Sequence, residues 1–371
     1  MVFILIIQIF IISWLMRAFK SALFWIYLWQ LKAYHVGRFM DHFRTYKGRK
    51  ALFNLFSILK VALLCLSFLF QNYFFYFFLL VFVLYIVELL LFVKNIIFGG
   101  IKTPIFTLKA IFLTLFSIVF IIFYLFLVKN YLEKASLQTF FTYLLVFDIL
   151  SPIIISFIVL IFQPFFVMAR NRILRKAKKK ISQFLSAQAG KSLTVIAITG
   201  SYGKTSTKEF LAAILSQKFN VLATQEHKNS EIGIAQTILN NLTINHDVFI
   251  VEMGAYNKGG IKLLCDIVKP KIGIVTGVNE QHLATFGSMK NLLSAEGGRE
   301  LLERLPKKGL LVVNGDNKYC LDLYKKSLRQ GKLKTKIYTL KKDKVDSDIW
   351  TEDMAVEKDF VSFIVIVKER S

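Results

Sequence analysis

The sequence predicts an α-helical transmembrane region followed by an α/β domain built on a parallel sheet. Three observations carry this expectation. Up to about residue 168 the chain is dominated by Phe, Leu and Ile. From residue 192 onward, short apolar, β-branched runs alternate with segments of helical spacing. Between the first such strand and the first such helix lies "GSYGKTS", residues 200–206, a turn with two glycines and a lysine. The 371 residues, 55% of them apolar, suggest two or three domains. The expected division is 1–168 for a membrane region of about five helices, 169–190 for a basic linker and 191–371 for the α/β domain.

In the first part the candidate spans are about 2–16 or longer, 51–70, 73–93, 105–128 and 139–167. A helix crosses the hydrocarbon core with roughly 20 apolar residues. Arg17 interrupts the first span early, and only Gln71–Asn72 separates the second from the third. The net charge is +24, and up to Gly190 there are 21 Lys and Arg against four acids. Cations flanking apolar spans set orientation and meet anionic head groups, so membrane lipid is the expected partner and nucleic acid is not. Eight cations lie in Arg17–Lys50, three in Lys94–Lys109 and seven in Arg170–Lys180. With five spans and the N-terminus outside, all three basic segments fall in the cytoplasm. A multi-pass protein of the cell membrane, with its α/β domain cytoplasmic, is the expected localisation. Glu88 and Asp148 lie within or near apolar spans. An intramembrane acid is a functional candidate, although Glu88 could also reach the interface near Lys94. No signal-peptide cleavage pattern precedes the first apolar run.

In the second part, strands are expected at 193–199, "NVLAT", 247–254, 272–278, 309–316 and "KIYTL". Helices are expected at 204–219, "SEIGIAQTILNNL" opened by Ser230, "GIKLLCDIV" stopped by Pro270, 288–304 and "NKYCLDLYKKSLRQ". Continuous apolar strands separated by helices indicate a parallel sheet covered on both faces. In such sheets ligands bind beyond the carboxyl ends of the strands. The segments after the first four strands are "GSYGKTS", "TQEHKNS", "EMGA" and "NEQH". Cys65, Cys265 and Cys320 fit neither a disulfide framework nor a zinc site and are expected to be small buried side chains.

The turn departs from the Walker A spacing, because Ile198 stands where that motif has its first glycine. The physics of a phosphate loop is still present. Two glycines let backbone N–H groups face an anion, and the helix that follows offers its N-terminus. Lys204 supplies a point charge for the outer phosphates and Thr205 a hydroxyl for Mg²⁺. Glu252, at the end of the third strand, is placed to reach the same Mg²⁺. His282, after the fourth strand, is a candidate metal ligand or phosphate contact. ATP and Mg²⁺ are the expected cofactors.

"TGSYGKTSTKE", "NSEIG", "VEMGA", "HLATFGS" and "LPKKGLLVVNGDN", in this order, resemble the central ATP-binding domain of the Mur ligases, most of all the MurF-type, D-alanyl-D-alanine-adding branch. The resemblance covers about residues 190–340. It implies an ATP-dependent amide-forming ligase of peptidoglycan precursor synthesis: a carboxylate attacks the γ-phosphate to give an acyl phosphate, and an amine then displaces phosphate. The implied partners are a muramyl-peptide substrate and an amino acid or dipeptide. Gly200, Ser201, Tyr202, Gly203, Lys204, Thr205 and Ser206 match the family's phosphate loop. Thr205 and Glu252 match ligands of a first Mg²⁺, and His282 the histidine near a second. Asn229 and Ser230 match a polar patch near the muramyl substrate. Lys204, His282 and Glu296 form the expected catalytic set. Glu296 stands fourteen residues beyond His282, where the family often has a carbamylated lysine, and its carboxylate replaces the carbamate. The family's N-terminal substrate-binding domain is replaced here by the membrane region. The adenine-contacting segment and the C-terminal domain are not present, so the chain is expected to be a truncated form. A non-catalytic, membrane-bound nucleotide-binding scaffold of cell-wall assembly is the alternative.

Overall fold

The computed structural model describes residues 2–69, 74–131, 136–186, 193–225, 228–255, 257–340, 346–358 and 360–368. The chain divides into two compact units, Met1–Val167 and Met168–Ser371. The Gln71–Asn72 turn and Glu133 lie outside the described residues.

The first unit is helical: α1 Val2–Leu31, α2 Val36–His42, α3 Tyr46–Leu52, α4 Leu55–Leu69, α5 Phe74–Ile97, α6 Leu108–Tyr131 and the start of α7, Leu137–Leu185. Among the described residues, five stretches are long and apolar enough to cross a membrane by length and composition: Ile4–Leu31, Tyr46–Phe68, Phe75–Ile97, Leu108–Asn130 and Leu137–Leu185. The first differs from the expectation, because α1 runs straight through Arg17 and Lys20. The reason lies in the interior of the unit. Arg17 Nε donates to Glu88 Oε1 at 3.0 Å, and Lys60 Nζ donates to Glu88 Oε2 at 2.5 Å and to Asp148 Oδ2. Tyr85 OH donates to Asp148 at 3.2 Å. A cation met by carboxylates inside the bundle has no need to end the helix at a water interface. Glu88 therefore does not reach toward Lys94; it is buried in this cluster.

Around the cluster, aromatic side chains fill the interior. Phe10 meets Phe141 edge-on at 4.7 Å, and Trp29 stacks on Phe39 at 3.9 Å. Trp14 Nε1 finds the Leu144 carbonyl and Trp29 Nε1 the Ser156 hydroxyl, both at 3.0 Å. The outer faces carry Leu115, Phe123, Ile153 and Phe157, all exposed. Within α7, Pro152 has no N–H for the carbonyl of Asp148 four residues earlier. Ser151 Oγ supplies the replacement donor at 2.8 Å and also bonds Ser21 Oγ.

The basic run expected as a linker is helical and forms the end of α7. Leu174, Ala177 and Ile181 of that stretch are buried in the core of the second unit. Arg170 pairs with Glu231 at 3.2 Å, and Lys180 Nζ donates to the Leu239 carbonyl at 2.9 Å.

The second unit continues as β1 Thr194–Thr199, α8 Lys204–Leu215, β2 Val221–Ala223, α9 Glu231–Asn241, β3 Val248–Glu252, α10 Gly260–Val268 and β4 Ile272–Val275. A 3₁₀ turn at Glu280–His282 leads to α11 Leu283–Phe286, α12 Met289–Ala295 and α13 Arg299–Arg304. Then come β5 Leu310–Asn314, α14 Lys318–Gln330, β6 Lys334–Thr339, β7 Ile349–Val356 and β8 Val361–Val367. The strand order is β2-β3-β1-β4-β5-β6-β7-β8. Pairing is parallel from β2 to β7, while β8 runs antiparallel to β7. The all-parallel expectation therefore fails at this edge. The single helix expected over 288–304 is two, separated at Gly297–Gly298.

Both faces of the central strands are covered, which explains their unbroken apolar sequence. Val195 and Ala197 pack into the cluster containing α9, α10 and the end of α7. Ile196 and Ile198 pack with Val248 and Ile250 against Leu211 and Leu215 of α8. The register sets Ile198 beside Glu252 and Thr199 beside Val275, so the carboxyl ends of β3, β1 and β4 lie side by side.

Candidate functional site

The phosphate-loop segment leaves β1 at its carboxyl end. Gly200 has φ 143°, and a Cβ there would lie 2.3 Å from Thr276 Oγ1 and 2.9 Å from the Gly277 carbonyl. Only glycine accepts both the conformation and that approach. Gly203, at φ 74°, is the N-cap of α8 and offers no side-chain cap, so the first-turn N–H groups stay available to an anion. Thr276 holds the turn from β4: its Oγ1 donates to the Tyr202 carbonyl at 2.5 Å, and Ser201 N donates to the Gly277 carbonyl at 2.7 Å. Tyr202 is exposed, and its OH accepts from Asn317 Nδ2 at 3.3 Å. Lys204 Nζ donates back to the Gly200 carbonyl at 2.5 Å. Thr205 and Ser206 are exposed on the first turn of α8.

Two links run from this loop to the neighbouring strand ends. Thr205 Oγ1 donates to Glu252 Oε2 at 3.0 Å. Glu252 is buried at the end of β3, and its other oxygen accepts from Asn229 Nδ2 at 3.0 Å. Its backbone N–H donates to Thr224 Oγ1 beyond β2. The second link runs through Glu296, buried after α12. Its Oε2 accepts from Ser201 Oγ at 2.7 Å and its Oε1 meets His282 Nδ1 at 2.9 Å. The carboxylate expected in place of a carbamylated lysine therefore lies between the loop and the histidine, with both oxygens engaged.

Of the expected metal set, Thr205 meets Glu252, and His282 meets Glu296. Among the described residues no group of three or more His, Cys, Asp and Glu is gathered for a metal ion. Thr205 and Glu252 offer hard oxygen donors, the kind Mg²⁺ takes while keeping several waters and substrate phosphates. At the base of the loop, buried Thr199 Oγ1 has no hydrogen-bond partner. The residues present thus fit a metal-bound nucleotide held mainly by loop amides. Of the expected substrate patch, Asn229 is committed to Glu252. The Ser230 hydroxyl caps α9 by accepting from Gly233 N at 3.3 Å.

Sequence reasoning missed Lys208 and Thr276. Lys208 is fully buried, with Nζ 3.0 Å from Glu209 and 3.6 Å from Glu252 Oε2. It stands four residues after Lys204 on the same helical face, which is the available signal. Thr276 follows β4 directly, where strand-end polar residues gather. Cys265 and Cys320 are buried as expected, and burial pushes both thiols up to about 12. Cys65 is exposed on α4, against the expectation.

Residues 198–371 match the model of the Mur ligase middle domain. The UDP-N-acetylmuramoyl-tripeptide–D-alanyl-D-alanine ligase of Synechocystis is 44% identical over 126 residues, which is 34% of this chain and 27% of the relative. The Escherichia coli enzyme of that name is 40% identical over 123 residues, 33% of this chain and 26% of the relative. The chain thus spans about a quarter of the length of these relatives. Among solved structures, MurF from Thermotoga maritima in complex with ADP is 25% identical with a TM-score of 0.45, covering 53% of this chain and 44% of that one. MurF from Acinetobacter baumannii is 23% identical with the same TM-score, covering 53% and 40%.

Proposed function

We propose that the chain belongs to a membrane-anchored, ATP-dependent amide-forming ligase of the MurF type, which joins D-alanyl-D-alanine to a muramyl-tripeptide carboxylate. The observation that carries the reading is the convergence at one edge of the sheet. The glycine–lysine loop after β1, Glu252 ending β3 and the His282–Glu296 pair after β4 are linked through Thr205 and Ser201. The names of the relatives supply the substrates.

In this reading the loop amides and Lys204 hold the phosphates of ATP, and Thr205 with Glu252 holds Mg²⁺. Magnesium, when bound, neutralises charge on the transferring phosphoryl group. A substrate carboxylate oxygen bonds to the γ-phosphorus and ADP leaves. The amine nitrogen then bonds to the acyl carbon, phosphate leaves, and the nitrogen gives up a proton. Asn229 and Lys208 keep Glu252 fixed. Ser201 and His282 keep Glu296 fixed, so Glu296 positions His282 relative to the loop.

The membrane part of the proposal rests on the helical unit, whose outer face is apolar and whose interior holds the charges. The basic segments support an outside N-terminus and a cytoplasmic ligase domain.

The test uses full-length protein in nonionic detergent. Magnesium-dependent ATP binding should weaken about 10- to 100-fold in Lys204→Ala, the loss of one charge-assisted contact of about 1.5–3 kcal/mol. UDP-muramyl-tripeptide with D-alanyl-D-alanine should stimulate phosphate release, and Glu296→Gln should slow that release. Absence of magnesium-dependent ATP binding would sink the nucleotide reading. Binding without stimulated phosphate release would favour the non-catalytic scaffold.

A further inference from the structure

The helical unit holds a half-open cavity of about 710 Å³. Its polar side is lined by Arg17, Lys20, Lys102, Glu88 and Asp148, and its apolar side includes Trp25, Phe56 and Val61. The charges do not balance. Glu88 and Asp148 are both held by Lys60, and Arg17 lies 3.0 Å from Glu88 and 3.8 Å from Asp148. Two cations therefore answer two acids. Lys20 and Lys102 are left over, and among the described residues neither is paired with a carboxylate. Lys20 lies over the face of Phe92, 5.5 Å away. A surplus of two cations, Lys20 half-buried and Lys102 at the exposed rim, beside an apolar wall attracts an anion.

A second feature belongs to the same cavity. Asp148 is buried, and its Oδ1 accepts no hydrogen bond. Arg17 Nη1 at 3.8 Å is too distant to donate. A buried carboxylate oxygen in that condition awaits an O–H or N–H donor. The cavity reaches the segments 51–54 and 100–102, just before α4 and just after α5. On the orientation proposed above, those segments lie at the cytoplasmic interface, where lipid head groups sit.

We propose that this cavity binds a lipid phosphate monoester, with its phosphate between Lys20 and Lys102 and its chain along the Trp25–Phe56–Val61 wall. A phosphate monoester carries about −1.5 to −2 charges at neutral pH, which matches the surplus. The monoprotonated form, which carries one charge and so answers one of the two cations, offers a P–OH to Asp148 Oδ1. The inference rests on the membrane reading of the helical unit, and not on the ligase reading.

The test is direct binding to full-length protein in nonionic detergent, using four probes: a long-chain polyprenyl phosphate, dioleoyl phosphatidic acid, the uncharged polyprenol and inorganic phosphate. At least one phosphorylated lipid should bind saturably, at least tenfold more tightly than the polyprenol, while inorganic phosphate alone should not compete at millimolar concentration. Lys20→Gln with Lys102→Gln should weaken binding at least tenfold without lowering the thermal midpoint, and Lys20→Arg with Lys102→Arg should retain it. If the double variant does not fold, Lys102→Gln alone, at the exposed rim, should still weaken binding severalfold. Preference for the polyprenyl phosphate would mark a dedicated carrier lipid, and equal binding of phosphatidic acid a bulk membrane lipid; both support the site. Equal binding of the polyprenol, competition by inorganic phosphate alone, or affinity unmoved in the glutamine variants would overturn it. Retention of the chain in carbonate-washed membranes separates the two readings. Retained protein that binds no phosphorylated lipid refutes the cavity alone, and protein released by the wash refutes the membrane placement beneath it.

Discussion

The two units of this chain are built inside out with respect to each other. In the α/β unit the central strands bury Ile196, Ile198, Phe249 and Ile250, while the chemistry gathers at strand ends. In the helical unit Lys60, Glu88 and Asp148 lie inside, and Leu115, Phe123 and Phe157 face outward. The same physical rule produces both. Each group goes where its solvation is best met, and the membrane reading proposed above gives the two units different solvents. A charge inside the helical unit is stable only through its partners, whereas a charge on the α/β unit is stable through water.

Four measurements sharpen or break this contrast, taken from the largest expected effect downward. Lys60→Ala leaves Glu88 and Asp148 short of a cation, and should cost the helical unit about 3–5 kcal/mol. Lys60→Leu combined with Glu88→Leu removes a matched pair and should cost clearly less, as read from unfolding midpoints in detergent. Equal losses would mean that pairing does not stabilise the cluster. Next, Ile250→Ala in β3 should cost about 2–5 kcal/mol, visible as faster hydrogen exchange of the β3 amides. The equal-sized truncation Leu115→Ala should stay within about 0.5 kcal/mol, because lipid chains are as apolar as leucine. The third comparison reverses the polarity. On the membrane reading, Leu115→Lys should cost about 2.5–3.5 kcal/mol of insertion, while Ile214→Lys, also exposed but on α8, should stay within about 0.5 kcal/mol. Comparable penalties at the two positions would place both surfaces in the same solvent.

The smallest effect is confined to alkaline solution. The thiols of Cys265 and Cys320 stand at about 12 in the fold, against an ordinary value of 9.0, because burial disfavours the thiolate. Their contribution is fully present below pH 9 and is lost as pH rises from about 9 toward 12, when the unfolded chain releases those protons first. Urea midpoints of the α/β unit should fall across that window, and the fall should shrink in Cys265→Ala with Cys320→Ala. Both thiols should also resist alkylation at neutral pH.

Much of this was legible in the sequence, and the exceptions have physical causes. The β1–loop–α8 unit is local, so its glycines, its lysine and the switch of period mark it plainly. The strand-end rule then brings Glu252 and His282 to the same edge. Glu296 was found by counting, but its bonds to Ser201 and His282 are contacts between residues far apart in sequence or packed by the fold. Lys208 was passed over because a lysine on a helix usually points to water, and only the carboxylates of Glu209 and Glu252 explain its burial. Arg17 was read as a span boundary because its partners lie 71 and 131 residues away. The antiparallel β8 has no local mark, since an edge strand reads the same in either direction. The helix over 288–304 was read as continuous because two adjacent glycines weaken a helical pattern without erasing it.

Lys204 rests on the carbonyl of Gly200, four residues behind it in its own turn. An ammonium already engaged acts as a latch. On the nucleotide reading proposed above, an arriving anion has to displace a neutral oxygen that costs the side chain no travel. A polyphosphate offers several charged oxygens at once. On that reading, the resting position of one side chain weights the loop toward ligands with several charged oxygens, before any base, sugar or peptide is recognised.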